Sequence, residues 1–197
     1  IVTSVAAMML HEQGRFSLDD PLGNYLPEFR DMRVLKADAE SISDTEPARE
    51  PIRVRHILSH SAGLSYGFIE PASLVDQAYA GSGIDILNNA DLTLADLSAA
   101  LGELPLAYHP GTAWRYSFGT DVTARLIEVL SGMRFDEFLK ENIFAPLGMV
   151  DTDFWVPPRK RERFITMYAP ADIFDPMKGG LNKADDAHSG VYTSERK

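Results

Sequence analysis

The stretch Trp114-Arg115-Tyr116-Ser117-Phe118-Gly119-Thr120-Asp121 constrains the fold of this chain more than any other. It follows a Pro110-Gly111 turn and opens an apolar run from Val122 to Leu130 that stops at Ser131-Gly132. A turn signal, a short aromatic segment and then helical spacing closed by glycine describe a loop that feeds directly into a core helix. The spacing predicts a helix over 119–131. A second is predicted over 135–143, ending before Pro146, because proline cannot continue a helical ladder.

The remaining pattern is mostly helical. Over residues 1–13, Val2, Val5, Ala6, Met9 and Leu10 fall near one face of a 3.6-residue period, and Gly14 is the expected stop. No capping residue precedes this helix, so it reads as one entered in its middle. Asp19-Asp20-Pro21 is a turn signal. Residues 30–51 are charged and polar around Met32-Arg33-Val34-Leu35, the pattern of a short strand or hairpin on a surface excursion.

Val54 to Leu58 reads as a short helix closed by a turn at Gly63. Residues 71–80 and 93–104 carry helical spacing on either side of Gly81-Ser82-Gly83. Thr93 is the expected N-cap of the second, with Leu94, Leu97 and Leu101 inside. Beyond Pro157-Pro158 the pattern gives way to strand and loop, with Gly179-Gly180 as a turn, and no internal repeat is visible.

Composition narrows the chemistry. Nineteen basic against 29 acidic residues leave a net charge of −10, a field that opposes a phosphate-backbone partner, so no nucleic-acid binding is expected. The basic run Arg159-Lys160-Arg161 is interrupted by Glu162 and reads as a solvated loop face. The absence of cysteine removes disulfides, thiolate catalysis and cysteine-ligated metals. None of His11, His56, His60, His109 and His188 forms a pair with zinc spacing, so neither metal nor cofactor is expected. No apolar run reaches the length of a membrane span. The compartment stays open, with the cytoplasm slightly favoured and room for a signal peptide upstream of Ile1.

The aromatic segment resembles the tyrosine motif of the penicillin-recognising serine hydrolases, the superfamily of class C β-lactamases, DD-peptidases and related esterases. Four further segments match in the family's order. Ile1 to Pro21 resembles the helix behind the nucleophile and its loop, and Tyr25-Leu26-Pro27-Glu28-Phe29 resembles the usual extension. Ile52 to Leu64, ending His60-Ser61-Ala62-Gly63-Leu64, is similar to the His-Thr-Ser-Gly-Leu signature, and Ile143-Phe144-Ala145-Pro146-Leu147-Gly148-Met149 to the Pro-Leu-Gly-Met turn.

The resemblance implies an α/β fold of which residues 1–197 are a partial β-lactamase-like domain: mostly the helical region, with most of the antiparallel sheet outside this chain. Residues 1–29 then continue the nucleophile helix and its loop, 30–52 are a surface excursion, 53–150 carry the tyrosine motif, and 151–197 return toward the sheet. The remainder of the polypeptide is expected to be needed for folding and activity. The Ser-x-x-Lys nucleophile is expected just upstream of Ile1, and the third, Lys-Thr-Gly-like motif is not found. Ser194-Glu195-Arg196-Lys197 satisfies Ser-x-x-Lys only formally, since no helix follows to bring serine and lysine together.

These enzymes activate serine with lysine and tyrosine in place of histidine and aspartate. By that resemblance Tyr116 is the candidate general base for acylation and proton donor to the leaving alkoxide. Its alternative is a buried tyrosine at a helix start, anchoring the Pro110-Gly111 turn through its hydroxyl. Ser117 is a helix cap or a supporting residue. Asp121 either orients the tyrosine network or stabilises the helix N-terminus. Tyr66 lines the acyl pocket or is a surface tyrosine in a loop, and Phe118 and Phe68 are candidate lipophilic contacts. Phe118 stands where class C β-lactamases carry asparagine, which points to a carboxylesterase acting on a small-molecule, short-chain ester through an acyl-enzyme. The alternatives are a β-lactamase or DD-peptidase, or a non-catalytic homologue or inert fragment.

Overall fold

A computed structural model of the chain describes residues 1–84, 92–172, 175–187 and 189–190. Two compact units emerge. The first joins Ile1–Ile84 to Thr93–Met149, and the second holds the described residues from Val150 onward.

In the first unit the core is helical. Helix α1 (Val2–Glu12) ends at Gly14, where the backbone turns left-handed. Its buried face is Ala6, Ala7 and Leu10, with Val2 and Met9 partly packed. Val5, expected on that face, is 46% exposed instead, because the face turns toward Ala7. With Ile1, Ser4, Met8, Met9 and Glu12, Val5 lines an open groove of about 460 Å³. Strands β1 (Arg33–Leu35) and β2 (Thr45–Pro47) form the expected hairpin, with Val34 opposite Glu46. The other edge of β1 is satisfied by Leu106, whose amide donates to Arg33 and whose carbonyl accepts from Leu35.

Helix α2 (Val54–Leu58) is a single buried turn, and α3 (Leu74–Gly81) begins at Ser73, whose hydroxyl accepts from the Asp76 amide. Helix α4 (Leu94–Gly102) starts with the capping arrangement its sequence encodes: Thr93 Oγ1 accepts from the Asp96 amide while Asp96 accepts from the Thr93 amide. Leu97 and Leu101 are buried and Leu94 partly so.

Helix α5 (Gly119–Ser131) is the centre of the unit, packing against α1, α2, α4 and α6 (Phe135–Leu139). Val122, Ala124, Leu126, Ile127 and Leu130 form its buried side. Its C-terminus stops at Gly132 with φ +71°, and the Arg15 guanidinium donates to the Leu130 carbonyl, placing a cation at the negative end of the helix. The α-helical ladder of α6 is shorter than expected. From Lys140 to Phe144 it widens into a π-helical turn before reaching Pro146.

The second unit is built on an antiparallel hairpin of β3 (Met167–Pro170) and β4 (Leu181–Asp185), with a register irregularity between Met167 and Tyr168. Asp151 pairs with Lys160 and Arg163 at 2.8 and 3.0 Å. Among the described residues, strands are confined to two two-stranded antiparallel ladders, the partial-sheet α/β arrangement expected from sequence. The Ser194–Lys197 segment and His188 lie outside the described residues.

Candidate active site

The site is assembled from two distant stretches of the first unit. Residues 107–118 run beside residues 60–65 and are laced to them by main-chain hydrogen bonds: Ala107 to Gly63, Gly111 to Ser61, Arg115 to His60 and Phe118 to Ser65. At the end of this run α5 begins. Gly119 makes the junction possible, since a methyl group there would lie 2.5 Å from the Ile57 carbonyl oxygen, so only glycine lets α5 approach α2 this closely.

An aromatic cluster results. Tyr116 lies between His60, at a ring separation of 4.9 Å, and Tyr66, at 5.2 Å. Tyr66 in turn stacks on Phe68 at 5.2 Å and meets Phe118 at 4.3 Å, and Phe118 lies over the fully buried Tyr79. Trp114 stands edge-on to His60 at 6.3 Å. Tyr116 is 48% exposed, which removes the alternative of a buried anchor for the Pro110-Gly111 turn. Phe118 is only 3% exposed, so its ring forms a floor beneath Tyr66.

The polar groups have distinct tasks. Ser117 is buried but does not cap α5. The N-cap position is Phe118, and the Ser117 hydroxyl shares a 3.3 Å hydrogen bond with His60 Nδ1 because its side chain turns back toward the 60–65 stretch. His60 adopts φ +54°, a left-handed conformation that costs a non-glycine residue about 1 kcal/mol or more. Burial lowers its pKa, favouring a neutral ring against Tyr116. Asp121 occupies the first turn of α5 and accepts a long hydrogen bond, 3.4 Å, from the Tyr66 hydroxyl. Burial raises the Asp121 carboxyl above its ordinary range. Tyr66 is pushed well up, first by burial and then by the neighbouring Asp121 and Tyr116. The shift is consistent with the Tyr66 hydroxyl acting as hydrogen-bond donor to Asp121.

Sequence reasoning assigns no site role to three residues here, His60, Arg115 and Asp76. Asp76 is in fact completely buried and pairs with Arg115. Among the described residues no cluster of three or more histidine and acidic side chains is placed to hold a metal ion, and no helix is long and apolar enough to cross a membrane.

The sequence profile of the Beta-lactamase family matches residues 1–196. The chain belongs to that family. The chain is similar to the lovastatin esterase of Penicillium rubens, 35% identical over 187 residues, covering 93% of this chain and 44% of that protein. It is similar to esterase EstB of Burkholderia gladioli, 31% identical over 168 residues, covering 85% and 39%. Among solved structures it resembles EstCE1, described as a hydrolase with promiscuous acyltransferase activity, with a TM-score of 0.72 and 27% identity over 94% of this chain and 43% of that one. The chain thus spans less than half the length of each of these relatives.

Proposed function

We propose that the polypeptide carrying this chain is a serine hydrolase that cleaves small carboxylic esters through an acyl-enzyme, with Tyr116 as its proton-transfer residue. The observation that carries this reading is the contrast between two neighbouring tyrosines. Tyr66 is half-buried with its hydroxyl engaged on Asp121, whereas Tyr116 presents its ring half-exposed between Tyr66 and His60. A base must reach the proton it removes, and of this pair Tyr116 is the accessible one. The esterase names of the lovastatin esterase and EstB support ester bonds as the target.

In this mechanism a serine and a lysine come from the rest of the polypeptide. Tyr116 takes the serine proton while its own hydroxyl proton passes to the neutral lysine amine, as the serine oxygen attacks the ester carbonyl. The relay then reverses: Tyr116 gives its proton to the departing alkoxide and regains one from the lysine, leaving an acyl-serine that water hydrolyses. Tyr66 donates to Asp121 and holds the aromatic wall, with Phe68 and Trp114 offering apolar surface to the substrate. That exposed wall also favours acyl transfer as a second reading: an apolar alcohol resting on Trp114, which is 69% exposed, would compete with water for the acyl-enzyme.

The test is Tyr116→Phe in the full-length protein, assayed on p-nitrophenyl butyrate. The substitution keeps the ring and removes the proton carrier, so turnover is expected to fall about 10²- to 10⁴-fold. Near-normal turnover would sink the assignment. Nitrocefin hydrolysis by the unaltered protein is expected to be negligible beside ester cleavage, because the Phe118 ring is buried against Tyr66 and Tyr79 where class C β-lactamases present an amide. Fluorophosphonate labelling of the full-length protein separates a catalyst from a non-catalytic homologue.

A further inference from the structure

We propose that Asp76 and Arg115 form a brace that fixes the Tyr66 hydroxyl relative to Tyr116, making both positioning residues for the ester-cleaving reaction; the inference rests on that reading. Asp76 is fully buried, and its two oxygens have separate tasks. Oδ1 accepts from the Ser65 hydroxyl, and Oδ2 accepts from the Glu70 amide. Ser65 immediately precedes Tyr66, and Glu70 lies two residues after Phe68. One carboxylate therefore ties together both ends of the short segment that carries two members of the aromatic wall.

Arg115 attaches that closed segment to the catalytic stretch. Its Nη2 donates to Glu70 Oε2 at 2.9 Å and reaches Asp76 Oδ1 at 3.4 Å, while its own amide donates to the His60 carbonyl at 2.9 Å. Tyr116 is the next residue. A carboxylate without solvent exposure is costly unless it is fully partnered, and Asp76 meets that condition with a hydroxyl, an amide and a guanidinium. Such a pair is a poor way to gain stability compared with apolar packing, but a good way to specify one arrangement.

The Tyr66 hydroxyl is the part most sensitive to this arrangement. Its hydrogen bond to Asp121 is already 3.4 Å, near the outer limit, so a small movement of residues 65–70 breaks it. Arg115→Lys keeps the charge but removes the Nη2 that donates to both Glu70 and Asp76, putting a compact ammonium on a different stem in its place. A double-mutant cycle between Arg115→Lys and Tyr66→Phe in the full-length protein, read as kcat on p-nitrophenyl butyrate, tests the brace. Arg115→Lys alone is expected to lower kcat about tenfold, and less than about twofold once the Tyr66 hydroxyl is gone. A general loss of structure would lower kcat by the same factor in both backgrounds, and that result overturns the proposal.

Should Arg115→Lys fail to fold by circular dichroism, Glu70→Gln enters the same cycle. It acts on the exposed end of the brace, and a smaller loss with the same collapse in the Tyr66→Phe background is expected. Equal factors in both backgrounds overturn the proposal there too. Tyr116→Phe, run alongside, keeps the two readings apart. Loss of turnover in Tyr116→Phe with no coupling between Arg115 and Tyr66 removes the brace alone, whereas full turnover in Tyr116→Phe removes the catalytic reading beneath it.

Discussion

At Asp121 two physical demands oppose one another. The first turn of α5 favours a negative charge, while burial disfavours it, and burial wins: the carboxyl is raised above its ordinary value of 3.8. As pH rises past 3.8 the unfolded chain loses its proton first, so the stability contributed by protonated Asp121 is complete below that value and disappears as pH climbs through the folded pKa. Asp121→Asn, which cannot ionise, is therefore expected to be more stable than the unaltered protein at neutral pH, with the difference shrinking toward pH 4. Urea denaturation of both proteins across that range measures it, and a pH-independent difference would contradict the assignment. The side chains that face one another here were unequally legible. Tyr116, Tyr66 and Phe118 announce themselves as aromatic residues beside turns. Asp76 and Arg115 do not, because their pairing spans 39 residues and depends on how α3 meets the tyrosine segment.

Among the elements, α5 carries the strongest local signals, and its sequence pattern accounts for its bounds. An apolar period of 3.6 places Val122, Leu126 and Leu130 inside, and Gly132 ends the helix left-handed. Thr93 and Asp96 encode the start of α4 in the same local way. The failures have equally local causes. Val5 belongs by spacing to the inner face of α1, but the packing partner sits nearer Ala6 and Ala7, and a periodic pattern cannot say which neighbour will press against it. The departure to a π-helical turn at Lys140 leaves no trace in the apolar spacing. The contact between α5 and α2 yields a prediction at this scale. Gly119→Ala should gain up to ~1 kcal/mol of helix propensity but lose more through overpacking against Ile57, for a net destabilisation of about 1–2 kcal/mol by urea titration. An unchanged or raised midpoint would mean that α2 yields easily to the added methyl group.

Across the first unit as a whole, the bonds that define the structure join residues far apart in the chain. The Arg15 bond to Leu130 closes 115 residues, Ser98 to Glu28 closes 70, and His60 to Ser117 closes 57. Helices form from near neighbours and quickly, whereas contacts of this span wait for large loops to close. Trp114, edge-on to His60, sits at one such closure. The other tryptophan of these 197 residues, Trp155, lies in the second unit, and it and every tryptophan elsewhere in the polypeptide are replaced by phenylalanine. In that background, refolding of the full-length protein should restore far-ultraviolet helical signal first, with Trp114 fluorescence following in a slower phase. Simultaneous recovery would place the 60–65 and 107–118 stretches together from the outset. The edge-on tryptophan is thus a clock: it marks the moment at which two stretches some fifty residues apart in the chain first become a single surface.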